Sequence, residues 1–262
     1  MYQITCHTMG GLGNQLFQIA TTLATAWEYN LDPVFINKNP EGYTYAQREN
    51  YFGSVFRNLN IVPTLNLSGF LQHTEHSNHS FSKINNPNKN LLLRGYFQTS
   101  RYFNKYIDKL HDVLTIPDTD MENVSKYIDK LRETYKGKKL IGIHVRRTDY
   151  LKLNWDQPLS YYLSAMNNFD QENSVFVCFS DDIDWCKKNL PNIIPSENNK
   201  DYVDMFIFSQ MDGYILSSSS FSWWGVFFGN KDKKKTVISP KSPWIRNNSY
   251  NQYIWEKDWI KI

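Results

Sequence analysis

The chain is poor in the features that would make it a special case. Only three of its 262 residues are cysteine, Cys6, Cys178 and Cys186, and they form no CxxC pair. Three thiols cannot all pair with one another, so a disulfide scaffold is not expected, and a reduced, cytoplasmic setting is. No window approaches the uninterrupted apolar length of a transmembrane helix. The longest apolar-rich stretch, at 205–228, is broken by Asp212, Gly213 and four serines. The opening residues show no basic segment followed by an apolar run, so no signal peptide is expected. Charge of one sign is also lacking: 29 Lys and Arg against 26 Asp and Glu leave +3. That is too little for a nucleic-acid footprint, and no basic stripe is interleaved with aromatics. A soluble chain, at most peripheral to a membrane, is the expectation.

What is there is a globular balance. Hydrophobic residues make up 41% and charged residues 21%. At this length the chain can bury the core of one large domain or two small α/β lobes. Aromatics reach 16%, with 8 Trp and 17 Tyr. Their flat faces and polar tips suit sugars or bases, and serve core packing equally well.

The order of elements reads as α/β. Residues 2–7 predict a strand, the glycines at 10, 11 and 13 break it, and 14–29 carry apolar residues at helical spacing. A second short strand is expected at 33–37. The Asn-, Ser- and His-rich stretch at 60–90 reads as a long loop with short strands. His73, His76 and His79 recur there every third residue. Only Glu75 sits at a ligand-like offset beside them, so a solvated loop is preferred to a metal site. A strand is expected at 91–96, a helix at 100–114 and an amphipathic helix at 120–135 ending at Gly137. The lobe boundary is placed there, giving 1–136 and 137–262. The second half alternates: strands at 140–145, 174–179, 213–216 and 236–239, with helices at 159–169, 181–190, 202–210 and 221–228. Such alternation implies right-handed crossovers and a doubly wound sheet.

Ligands of doubly wound sheets sit outside the carboxyl ends of the strands. Three motifs of the second lobe fall there. His144, Arg146, Arg147 and Asp149 share one strand-end loop. An arginine fork matches phosphate oxygens and stabilises a leaving diphosphate without a metal. Its plain alternative is a surface pair bridging Asp149 and other acids. Asp181 and Asp182 follow the next strand. Helix-dipole complementarity explains Asp182 and Asp184, although their spacing imitates a metal-binding DxD, and leaves Asp181 for ligand work. Ser217 to Ser220 precede a helix, where hydroxyls and backbone N–H groups can cradle phosphate. Capping alone needs one of them. In the first lobe, Gly11 and Gly13 let a ligand approach the backbone, and Asn14 and Gln15 can hydrogen-bond to it. This turn is a poor dinucleotide fingerprint, since its third glycine and its acid are missing.

Taken together, GGLGNQLFQ at 10–18, LRGYFQ at 93–98, HVRRTDY at 144–150, FSDD at 179–182 and SSFSWW at 219–224 resemble the family 11 glycosyltransferases, the bacterial-type α-1,2-fucosyltransferases. The HxRRxD loop is also similar to that of α-1,6-fucosyltransferases. The blocks follow the family's order and span nearly the whole chain. Thr148 and Ser218 stand where the family commonly has glycine and asparagine. The resemblance implies a GT-B architecture, two Rossmann-like lobes facing a cleft, with GDP-fucose held mainly by the C-terminal lobe and a glycan acceptor on the other side. It implies that Arg146 and Arg147 hold the diphosphate, that His144 with Asp181 or Asp182 approaches the guanosine, and that Ser219 and Ser220 assist the phosphate. Asn14 would approach the diphosphate from the first lobe, and Asp149 would act as base or orienting acid. The implied reaction is inverting transfer of L-fucose from GDP-β-L-fucose to a sugar hydroxyl, the 2-OH of a terminal galactose, without a catalytic metal. Acceptor pockets would be built from loops at 44–57 and 66–90. A transferase of other linkage, a nucleotide-sugar-binding protein that has lost catalysis, and an NAD-dependent enzyme using the Gly10–Gly13 turn are the competing readings.

Overall fold

The structure, a computed structural model, describes residues 1–38, 51–76, 80–196, 199–242 and 254–262. The chain forms two compact units, Met1–Pro117 and Asp118–Ile262.

In the first unit, β1 (Gln3–Cys6) leads through a glycine turn into α1 (Leu12–Tyr29), followed by β2 (Asp32–Pro33), β3 (Phe35–Ile36), β4 (Ile61–Val62), β5 (Leu71–Thr74), β6 (Leu91–Arg94) and α2 (Ile107–Val113). Strands β2, β1, β6 and β5 form a parallel sheet in that order, and β3 pairs with β4. Helix α1 is buried on nearly every side. Between Leu12 and Ala26, Asn14 alone is not fully buried. The turn before it needs glycine at Gly10, where φ is +73° and a Cβ would run into the Asn14 side chain. Two glutamines of α1 fold back to fix this turn. Gln15 Nε2 donates to the Gly10 carbonyl at 3.0 Å, and Gln18 Oε1 accepts from Met9 N–H at 2.9 Å.

The turn after β6 is fixed from the neighbouring strand. Glu75, buried just past β5, accepts Tyr96 N–H at 2.7 Å and Phe97 N–H at 3.0 Å. Phe97 adopts φ +52° within that turn. Gln98 then donates to Asn14 Oδ1 at 2.8 Å, joining the carboxyl ends of β6 and β1. The helix expected at 100–114 starts late. Phe103 leaves helical geometry (φ −139°, ψ 7°) and buries against Phe17, so two 3-10 turns precede α2.

The second unit begins with α3 (Asp118–Thr134) and continues β7 (Lys139–Val145), α4 (Thr148–Leu153), α5 (Leu159–Met166), β8 (Ser174–Ser180), α6 (Ile183–Asn189), β9 (Ile193–Pro195), α7 (Asp201–Ser209), β10 (Gly213–Ile215), α8 (Ser220–Gly229), β11 (Thr236–Ser239) and β12 (Ile260–Lys261). Six parallel strands lie in the order β12-β11-β10-β7-β8-β9. The chain runs outward from β7 through β8 to β9, then crosses to the other side at β10. The switch point, where a crevice opens, is therefore between β7 and β10. Ile141, Ile143, Val145, Phe176, Cys178, Ile215 and Ile238 fill one face under α5 and α6. Buried this way on both faces, β8 is a continuous apolar run.

The units part at Pro117, not at Gly137. Helix α3, assigned from the sequence to the first lobe, lies against α7 of the second. Tyr202 donates to Asp120 at 2.8 Å and Arg132 pairs with Asp212 at 2.9 Å. Gly137 (φ +83°) turns the chain out of α3 into β7 and marks the end of a helix within a unit.

The clamp at Glu75 predicts a stability effect. Glu75→Ala leaves the buried Phe97 N–H without a carboxylate, at roughly 1–3 kcal/mol, and the part-buried Tyr96 N–H at less. The melting temperature should fall clearly, and less for Glu75→Gln, whose amide oxygen still accepts. An unchanged melting temperature for the alanine variant would show that the turn holds itself.

Candidate functional site at the carboxyl ends of the second sheet

Three strand ends supply the side chains. Strand β7 stops at Val145 and leads into Arg146, Arg147 and α4. Strand β10 stops at Ile215 and leads through Ser217, Ser218 and Ser219 into α8. Strand β8 stops at Ser180 and leads through Asp181 and Asp182 into α6. The first two flank the switch point, and the third lies beside β7.

Both arginines are embedded in carboxylates. Arg146 donates from Nε to Asp149 Oδ1 at 2.9 Å, and its Nη2 lies at the same distance from that oxygen. Its Nε is also 3.2 Å from Asp181 Oδ2. Arg147 donates from Nε to Asp182 Oδ2 at 3.1 Å, and its Nη1 lies 3.8 Å from Asp156. Its guanidinium stacks 3.9 Å over the Trp185 ring, with the side chain only 14% exposed. Each arginine is thus held in one orientation by the protein's own side chains. The bridging of acids that the alternative of a surface pair expected is present, but on side chains only 27% and 14% exposed and not at the surface. It coexists with a strand-end position suited to an anion.

Asp181 is not left over, as the helix-dipole argument had it. It accepts Arg147 N–H at 2.9 Å and the Thr148 hydroxyl, besides its contact with Arg146. Asp182 does cap α6, accepting Trp185 N–H at 3.2 Å, while its other oxygen serves Arg147. Among the described residues, no group of three His, Cys, Asp or Glu is placed to hold a metal ion. Of the expected histidine row, His79 lies outside the described residues. Glu75 is committed to the turn after β6, and His73 stacks on Phe97.

The serines divide their labour more than capping or phosphate binding alone would require. Ser217 Oγ is 2.7 Å from His144 Nδ1, Ser218 Oγ accepts from Gln157 Nε2 at 2.6 Å, and Ser219 Oγ accepts Phe221 N–H at the start of α8. All three are buried, and only Ser220 of the four is partly open. His144 is buried between Ser217 and Phe221, whose ring stacks on it at 4.8 Å. Burial, helped by the charge of Arg146, pushes its imidazole down to about 3. The ring is neutral throughout the physiological range. Burial also pushes the Tyr150 phenol up, so it keeps its proton and donates a hydrogen bond to the Ser218 carbonyl at 2.8 Å.

Sequence reasoning missed Tyr150, Asp156, Gln157 and Trp185 as members of this cluster. Trp185 follows Asp182 by one helical step, which is a legible signal. Asp156 and Gln157 lie in a loop and carry none. In the first unit, Gln15, expected to meet a ligand, is buried and bonded to Gly10. Gly11 precedes α1 with φ −78°, and Gly13 lies within it. Neither has a positive φ, and the left-handed position belongs to Gly10. Asn14, beside Gln98, is the partly open polar group of that turn. Of the expected acceptor loops, 44–50 and 77–79 fall outside the described residues.

The three thiols are free and buried. Among the described residues, no helix is long and apolar enough to cross a membrane.

The fold and the sequence both have relatives among known proteins. The fold resembles the fucosyltransferase NodZ from Bradyrhizobium, with a TM-score of 0.55 at 12% identity over 86% of this chain and 91% of that one. It also resembles a mutant of Arabidopsis thaliana FUT1 in complex with GDP, with a TM-score of 0.51 at 14% identity over 95% and 71%. These likenesses establish an α/β, GT-B-like fold. In sequence, the chain is 28% identical to an alpha-1,2-colitosyltransferase of Escherichia coli over 99% of its own length and 98% of that protein. It is 26% identical to the O-antigen biosynthesis glycosyltransferase WbnK of Escherichia coli over 65% and 60%. Residues 3–262 match Glycosyl transferase family 11, and the chain belongs to that family.

Proposed function

We propose that the chain transfers L-fucose from GDP-β-L-fucose to the 2-OH of a terminal galactose, with inversion and without a metal. The observation that carries this reading is the arginine pair at the end of β7, set against the serine loop of β10 at the switch point of the sheet. In an in-line displacement, negative charge grows on the leaving diphosphate while the sugar becomes oxocarbenium-like. Guanidinium groups meet that charge with a permanent proton count. The carboxylates engage Nε and Nη2 of Arg146 and Nε and Nη1 of Arg147. Arg146 Nη1 and Arg147 Nη2 are the donors assigned to the diphosphate in this reading. Ser219, Ser220 and the first N–H groups of α8 assist. His144 offers the guanosine a neutral imidazole, with Asp181 or Asp182 nearby. Asn14, with Gly11 and Gly13, is the contribution assigned to the first unit.

A second reading is favoured by the alpha-1,2-colitosyltransferase relative, which matches nearly end to end. Colitose is fucose without its 3-hydroxyl, so the same diphosphate machinery serves both donors. Turnover of GDP-fucose and GDP-colitose with a panel of β-galactosides separates the two, and NMR of the product reads the linkage. In either case GDP should stabilise the fold in EDTA, by about 2.7 kcal/mol at a hundredfold excess over its Kd. Loss of binding in EDTA with recovery in manganese would overturn the metal-free reading and return Asp182 and Asp184 to consideration. Stabilisation by NAD and not by GDP would overturn the donor class.

Asp149 holds Arg146 through one oxygen, which supports an orienting role over that of a base. Asp149→Asn should therefore weaken GDP binding and turnover together. A loss of a hundredfold or so in turnover with unchanged GDP affinity would instead identify a general base.

The neutral His144 generates a pH dependence. Below its ordinary value near 6.5 the unfolded chain takes up a proton that the folded chain refuses until about 3. Stability is thus lost progressively as pH falls from 6.5 towards 3. The melting temperature of His144→Asn should fall less steeply over that window. Parallel slopes for the two proteins would assign the acid sensitivity to other groups.

A further inference from the structure

The backbone ladder between β7 and β10 ends before the site begins. Ile143 pairs with Ile215, and β10 stops there, while β7 continues to Val145 bonded only to β8. Past that point the two loops flanking the crevice share no strand pairing. Side chains take over. His144 meets Ser217, and the segment after the arginines bonds twice to the next serine. Tyr150 donates to the Ser218 carbonyl at 2.8 Å, and Gln157 donates to the Ser218 hydroxyl at 2.6 Å. Between these two, Asp156 reaches Arg147. The stretch from Tyr150 to Gln157 is thus a strap that starts at the arginine loop, touches an arginine again and ends on the serine loop.

We propose that Ser218 is the knot that fixes the width of the crevice, and that Gln157 and Tyr150 are positioning residues for the proposed transfer. The inference rests on that functional reading. A diphosphate is gripped from both loops only if their separation is set to a fraction of an ångström, and a misplacement of about 1 Å costs on the order of a hundredfold in rate. Tyr150 is a poor probe of the knot, because its ring also lies under the Arg146 guanidinium at 5.7 Å. Gln157 contacts neither arginine among its described bonds. It is buried against Ser218, and it borders an open cavity of about 600 Å³ with Asn154, Asp156 and Tyr161. A leucine of similar size at this position keeps its contacts and removes the donor.

The test uses the full chain and four variants: Gln157→Leu, which keeps size and loses the donor; Ser218→Ala; their double; and Gln157→Glu, whose carboxylate can accept from the Ser218 hydroxyl. Melting temperature, GDP affinity, and kcat and KM are measured with whichever of GDP-fucose and GDP-colitose the wild type uses. Each single variant should lower kcat about tenfold, the worth of one well-made hydrogen bond. The double should lose no more than either single, and Gln157→Glu should recover most of the rate, with kcat read well below each variant's melting transition because an unpaired buried polar group lowers stability. Losses that multiply in the double, an unchanged kcat, or a rate that merely follows the melting temperature would overturn the knot. A wild type that neither binds GDP nor turns over a donor would instead defeat the functional reading, and this inference with it.

Discussion

Asp181 is the constraint on which the second unit's strand-end cluster depends. Its carboxylate takes the backbone N–H of Arg147, the hydroxyl of Thr148 and a share of Arg146. A strand end followed by two arginines has every reason to splay, since like charges repel and each side chain has several rotamers to lose. One carboxylate from the adjacent strand removes that freedom at the backbone and at the side chain together. Asp149, Asp182 and Asp156 then complete the cage, and Trp185 supplies the flat face against which Arg147 rests.

That cage changes how the arginines are to be understood. A guanidinium waiting in water for phosphate would have to be ordered at the moment of binding. Here the protein's own carboxylates and Trp185 supply the ordering, which is the arrangement that preorganised electrostatic stabilisation requires. Four carboxylates outnumber the two arginines, so in the proposed function the cluster would serve a diphosphate by aiming fixed donors at it and not by net positive charge.

The alternation of strands and helices was legible, because β7, β8 and α1 carry long periodic or continuous apolar patterns. Short elements were not. Strand β9 ends in a proline at the sheet's edge, β12 has two residues, and α4 is little more than one turn, so none offers a full period. The boundary was misplaced because Gly137 is a sound helix stop and nothing in the sequence says which unit owns the helix before it. At the site, residue types that are expensive to bury announced themselves: the arginines, the aspartates and the run of serines. What each does was less legible. Gln15 and Asp181 looked available for a ligand and are spent on backbone groups, while Gln157 sits in a loop with no pattern and holds a buried serine. Backbone satisfaction is a three-dimensional account, and one sequence gives the donors and acceptors without their pairing.

The two sheets solve the same problem by the same means. In the first unit, Glu75 is the residue after β5, and it binds the N–H groups of the turn that follows the neighbouring β6. In the second, Asp181 is the residue after β8, and it binds the N–H of the turn that follows the neighbouring β7. In each case a carboxylate past the end of one parallel strand locks the loop of the next. Parallel neighbours end side by side, so such a residue reaches the adjacent turn without leaving its own. The geometry also separates two jobs that glycine and acid residues share at strand ends. Glycine permits the turn at Gly95, and the acid selects one conformation of it. The locked turn then presents a polar side chain that the turn alone would leave wandering, Gln98 against Asn14 in one unit and Arg146 against Asp149 in the other.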